Sequence, residues 1–195
     1  MEPMTTEQVK NLIEFISLGA GYSAVALAAI GSSIGTGYAG AAAIGAWKKC
    51  YQQGKPAPFL LMALVGAPLS QTIYAMIMMI IIKGKIMNHP EHLPIYLAIG
   101  IIGGLAQMTS AIFQGRAAAG GCVSYAETGK GFANSLMVLG VIETCAIFAL
   151  IFSFMAMPPD DNKDQAAAPA QTKITATATS GAAASAAKPA PKPAK

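Results

Sequence analysis

Residues 132–157 read FANSLMVLGVIETCAIFALIFSFMAM, and Glu143 is the only charge among them, close to the middle. Wound as a helix the run is about 39 Å long, more than the roughly 30 Å of hydrocarbon that a spanning helix must cross. A carboxylate at that depth costs a few kcal/mol or more, so it persists where it carries something: a proton, a metal cation or a partner charge. The plainer alternative is a protonated glutamic acid hydrogen-bonded inside a helix bundle. Intramembrane carboxylates are functional sites by default, which makes Glu143 the first candidate residue of the chain.

Three further apolar runs precede this one. Leu12–Trp47 holds Glu14 at its outer edge, Phe59–Ile82 has no charge, and Ile95–Tyr125 holds Arg116 near its far end. Each meets the roughly 20 residues a spanning helix needs. Charged residues make up only 11% of the chain, against about a quarter in a soluble domain. The expected fold is an all-α membrane protein with four transmembrane helices in two tandem hairpins, 12–82 and 95–157, joined by an outer loop over 83–94. The N-terminal segment 1–11 carries Glu2, Glu7 and Lys10 and is net negative. A cleaved leader would start positive and have a shorter apolar stretch, so the first run is expected to be a retained helix.

Loop charges set the orientation. Lys48, Lys49 and Lys55 mark the first turn, and Lys130 marks the third with Glu127 and Arg116 nearby. Lys83 and Lys85 sit in the middle loop, so the bias is modest. Counting positive charge places the first and third turns in the cytoplasm and both termini outside. Residues 158–195 are rich in Ala, Pro, Thr, Ser and Lys with almost no large apolar residue, a composition expected to give a flexible tail.

The two halves repeat one another. GSSIGTGYAGAAAIG in the first run lies over TSAIFQGRAAAGG in the third, with Thr36 and Gly37 over Gln114 and Gly115. GAPLSQTIYAMI lies over VLGVIETCAIFAL, with Gln71 over Glu143. Both hairpins have one orientation, which indicates tandem duplication rather than inversion. Gln71, Gln114 and Glu143 stand at similar distances from their turns, so they are expected at one level; Gln107 lies two turns from Gln114 on the same face. Small residues four apart, Gly31 and Gly35, Gly37 with Ala41 and Gly45, Gly100 and Gly104, Ala111 with Gly115 and Ala119, permit close helix approach. Two small-faced helices and two bulky ones suit a ring, the small faces on a crowded inner circle.

Other chemistry is sparse. Cys50, Cys122 and Cys145 have no metal-ligand spacing, and His89 and His92 flanking Pro90 read as solvated loop residues. No nucleophile–base pair, phosphate loop or metal motif is present, so the chain is not expected to be an enzyme on its own, to hold an organic cofactor or to bind nucleic acid.

Four pieces occur in order, one per helix: the Gly-rich first helix, P-x-S-Q-x-x-Y (Pro68, Ser70, Gln71, Tyr74), F-Q-G-R-A-A-A-G and V-I-E-T. Together they resemble the duplicated membrane proteolipid, the K or c component, of V-type ATPases and V-type ATP synthases, over about residues 10–157. The resemblance implies a homo-oligomeric rotor ring in a membrane, expected to be a prokaryotic cytoplasmic one. Its implied partners are lipid, a stator membrane subunit bearing an arginine, and central-stalk subunits. Each chain would carry one cation on Glu143 while a peripheral head makes or hydrolyses ATP. A bare carboxylate cannot pass lipid, so the ring turns only with Glu143 neutralised.

Members of the family that bind sodium resemble this chain at Ser70, Gln71, Gln114 and Glu143, with a main-chain carbonyl beside the proline, here that of Ala67. Sodium is a hard cation held by several oxygens, and this set implies Na⁺ in preference to H⁺. Ser70 stands where the sodium pattern usually has Thr, and Ala67 replaces a bulkier residue. Pro68 cannot donate to the carbonyl four residues back, which frees local oxygens. The alternatives are a proton-coupled ring in which Gln71 and Gln114 support a protonated Glu143, a self-contained four-helix exporter, and a pore-former without ion coupling.

Overall fold

The computed structural model describes residues 4–159; the tail expected over 158–195 lies outside the described residues from 160 onward. Helix α1 spans Thr6–Gln52, α2 Leu61–Gly66, α3 Ser70–Asn88, α4 Leu93–Thr128 and α5 Phe132–Met155, and no strand occurs among the described residues. A 3₁₀ turn, Ala67–Leu69, joins α2 to α3, and another, Pro90–His92, leads into α4. Among the described residues, four helical stretches are long and apolar enough to cross a membrane: Thr6–Gln52, Leu61–Asn88, Pro90–Thr128 and Phe132–Met155.

Helix α1 starts earlier than the apolar run that suggested it. Thr5 caps it reciprocally: its hydroxyl accepts the Gln8 amide, and Gln8 Oε1 accepts the Thr5 amide at 2.9 Å. A capping box satisfies two amides that a helix start otherwise orphans, so most of the segment expected to precede the helix is its first turns. The 83–94 loop also shrinks. Helix α3 continues through Lys83 and Lys85 to Asn88, leaving His89 and one 3₁₀ turn as the connection. Lysine is a good helix former, so charge at the end of the apolar run marks the membrane border rather than the helix end.

Pro68 breaks the second span. Without an N–H it cannot bond four residues back, and the backbone tightens locally so that the Ser70 amide donates to the Ala67 carbonyl. At the other end of the hairpins, Gly129 and Gly131 hold φ of 68° and 84°. These left-handed values cost a glycine little and turn α4 into α5 within three residues.

Helices α1 and α4 run parallel and pack along their length: Gly35 meets Gly115, and Lys49 Nζ reaches Glu127 Oε1 at 2.7 Å near the turn end. A methyl on Gly115 would strike the Gly35 backbone, and one on Gly35 would strike the Ala111 carbonyl and the Pro68 ring. Close backbone approach of this kind needs residues without side chains. The small residues therefore divide. Gly31, Gly35, Gly100, Gly104 and Gly115 are buried within the chain, whereas Gly37, Ala41 and Gly45 are exposed. Part of the small-residue pattern assigned to ring contacts thus serves pairing inside the chain.

Two apolar clusters fill the interior. One, toward the chain termini, holds Ala24, Met78, Ile82 and Tyr96; the other, toward the turns, holds Ala43, Leu61, Leu64 and Leu139. Ser32, Gln71, Gln107, Ser110 and Gln114 are buried polar residues outside both clusters. Helix α5 is the least embedded, with only Leu139 and Ala146 buried.

Candidate functional site

Glu143 is half-buried on α5 and is approached from two helices. Tyr74 on α3 donates its hydroxyl to Glu143 Oε1 at 2.6 Å. Gln114 on α4 donates from Nε2 to Glu143 Oε2 at 3.3 Å and to the Leu139 carbonyl at 3.0 Å. Both carboxylate oxygens are thus engaged.

The chain of bonds continues inward. Gln71 Nε2 donates to Gln114 Oε1 at 2.9 Å and to Ser110 Oγ at 3.2 Å, and Gln71 and Gln114 are fully buried. Ser110 Oγ in turn donates to the Ile142 carbonyl at 3.2 Å. At the far end Ser70 Oγ donates to Gln71 Oε1 at 3.3 Å and lies 3.2 Å from the Ala67 carbonyl, the oxygen beside Pro68. A buried amide left unpaired costs about 1–3 kcal/mol, so every polar atom of this row has a reason to be where it is.

The structure thus brings Glu143, Gln114, Gln71, Ser70 and Ala67 into one hydrogen-bonded row. The proline turn places Ala67 and Ser70 there, Ala67 one helical turn before Gln71 and Ser70 immediately before it. Gln107 stays out of the row: it is fully buried and donates to the Ala146 carbonyl at 2.9 Å, fastening α4 to α5. Thr36 also stays apart, its hydroxyl bonded to the Ser32 carbonyl of its own helix at 2.8 Å, while Thr72 donates to Ser32 Oγ at 2.8 Å.

Two participants carried a weak sequence signal. Tyr74 is a phenol on α3, one turn from Ser70 and Gln71, and a buried tyrosine hydroxyl usually finds a partner. Ser110 is one turn from Gln114 on the same face of α4. Their spacing placed them near the site, but only the rotation of α3 and α4 against α5 shows which atoms they meet.

Chemically, the row offers a carboxylate, two amide groups, a hydroxyl and a main-chain carbonyl inside a layer excluded from water. Gln114 turns its amide nitrogen, a donor, toward Glu143. That serves a carboxyl group directly; ligation of a cation at Glu143 calls for the same amide to present Oε1, and the half-turn that does so gives up the bonds to Gln71 Nε2 and the Leu139 carbonyl.

Over the described residues this defines an all-α protein with four membrane-length helices and a hydrogen-bonded carboxylate at mid-span. Residues 97–156, less than half of the chain, match the family model for the C subunit of ATP synthase. The matched stretch contains Gln107, Ser110, Gln114 and Glu143, and over it the chain is similar to the c-type proteolipids of ATP synthases. No curated protein matches the chain.

Proposed function

We propose that this chain is the rotor-ring proteolipid of a V-type ATPase or ATP synthase, carrying one cation per chain on Glu143. The observation that carries the reading is the placement of that carboxylate: half-buried at mid-span, with both oxygens held by donors from two other helices. The likeness of residues 97–156 to the ATP synthase C subunit supports it, as does the agreement between the two hairpins in sequence. The chain is not catalytic by itself. It assembles as a ring of identical copies, turns against a stator subunit whose arginine empties the site, and is coupled to the ATP-handling head through a central stalk.

The favoured ion is Na⁺. Glu143, Gln114, Gln71, Ser70 and the Ala67 carbonyl supply enough oxygens for a hard cation, and the row of bonds among them supports their acting together. The proton-coupled reading has one observation in its favour, the Gln114 N–H facing the carboxylate. With one carboxylate per four helices, few ions move per turn, which suits pumping against a steep gradient. Each elementary charge moved is worth about 2.3 kcal/mol per 100 mV.

Glu143→Gln in the assembled complex tests the assignment. Coupled ion transport is expected to vanish while the ring still forms. Transport that survives the change would return the chain to the pore-former reading. Transport by the purified ring alone, without head or stator, would favour the self-contained exporter.

A further inference from the structure

The short link between the hairpins holds a side-chain cluster that the Glu143 row does not use. His89, Pro90, Glu91 and His92 are consecutive and join the end of α3 to the start of α4. Proline fixes its own φ, and two backbone bonds close the turn. The His89 amide donates to the Lys85 carbonyl at 2.8 Å, and the His92 amide donates to the His89 carbonyl at 3.1 Å. A long helix at either end therefore holds the backbone that carries both imidazoles.

Both rings approach one carboxylate oxygen. His89 Nδ1 lies 3.1 Å from Glu91 Oε1, and His92 Nε2 lies 3.9 Å from the same atom. The two ring centroids are 6.1 Å apart. Zinc binds imidazole nitrogen and carboxylate oxygen at about 2.0–2.2 Å in a tetrahedron, which sets neighbouring donors about 3.3 Å apart. The His89–Glu91 spacing is already close to that value, and His92 Nε2 stands about 0.6 Å beyond it. Among the described residues no three His, Cys, Asp or Glu side chains enclose an ion as they stand, so His92 must swing inward to close the shell. Rotamer motion of a surface side chain is fast and supplies such a movement. Glu91 is exposed and both histidines are half-buried, which leaves a position open to water.

We propose that His89, Glu91 and His92 bind one divalent transition-metal ion of the zinc type per chain, with water completing the tetrahedron. The donor set selects the metal. One carboxylate is too few oxygens for calcium or magnesium, whereas imidazole suits zinc, copper and nickel. Lys83 and Lys85 on the last turns of α3 weaken the attraction for any cation, so the nitrogen bonds must carry the affinity. All three ligands lie within four consecutive residues, so the site needs neither a second copy nor Glu143. It stands or falls apart from the rotor reading.

Calorimetric titration of the full chain in detergent at neutral pH, with ZnCl₂ and in parallel with MgCl₂, tests this. One zinc per chain and no measurable magnesium binding are expected. His89→Gln and His92→Gln should each weaken zinc at least tenfold, and Glu91→Gln should weaken it several-fold. X-ray absorption at the zinc edge should show two imidazoles and oxygen in the shell. Wild-type chain that takes up no zinc would overturn the site. Undiminished binding by the His89→Gln, His92→Gln or Glu91→Gln chain, or sulfur in the shell, would overturn it by placing the ion elsewhere.

Discussion

At the scale of single residues, the tight contact at the site is the Tyr74 hydroxyl on Glu143 Oε1. A typical intramolecular hydrogen bond contributes about 0.5–1.5 kcal/mol. Tyr74→Phe leaves the carboxylate held only by the longer Gln114 bond, and carbodiimide should then modify Glu143 several-fold faster. An unchanged rate would mean that the phenol does not restrain the carboxylate. Gln71 has a different duty. It joins Ser110 and Gln114 in the buried layer, so Gln71→Leu strands the buried Gln114 Oε1, while Ser110 keeps its bond to the Ile142 carbonyl. The expected cost is about 1–3 kcal/mol, read as a lower unfolding temperature of the protein in detergent together with loss of sodium protection at Glu143. Much of the row was legible in the sequence, because Gln71, Gln114 and Glu143 are polar residues in apolar runs at matched distances from the turns. The bond made by Tyr74 was not, since a phenol suits lipid interfaces and helix cores alike until the rotation of its helix is known.

At the scale of elements, the pairing of α1 with α4 depends on two backbones touching. Gly115→Ala places a methyl against the Gly35 backbone, which cannot move aside as a flexible side chain would. Overpacking of this kind costs about 1–3 kcal/mol, and the variant should unfold at lower temperature and be cut faster by protease. Gly37→Ala meets open space within the chain and should leave the stability of the single chain within about 0.5 kcal/mol of the wild type. If Gly37 faces a neighbouring copy, that same change lowers the yield of rings. A Gly115→Ala chain as stable as the wild type would contradict the packing described here. Sequence spacing announced that small residues mattered, but Gly31, Gly35, Gly37, Ala41 and Gly45 form one dense series. Which of them look inward follows from the angle at which α1 meets α4, a tertiary quantity. The connection between hairpins is shorter than the apolar run suggests for a local reason: Lys83 and Lys85 end that run without ending the helix.

At the scale of the whole molecule, the proposed rotor has one mid-span carboxylate, Glu143, per copy, which would make every copy in a ring indispensable, since each would pass the stator in every turn. Co-expressing wild-type and Glu143→Gln chains should therefore lower coupled ATPase activity far more steeply than the fraction of altered chains, roughly as the wild-type fraction raised to the number of copies. A linear decline would mean that chains work independently and would remove the rotor. Glu143 as an exchangeable cation carrier is the property on which the proposed rotor depends. The most direct test is carbodiimide modification of Glu143, followed by peptide mass spectrometry, in membranes holding the intact complex, across pH and with NaCl or KCl. The account predicts that sodium but not potassium protects Glu143, and that more sodium is needed as the pH falls. Modification governed by pH alone would replace sodium with the proton as the carried ion, and no modification of Glu143 under any condition would contradict the central claim.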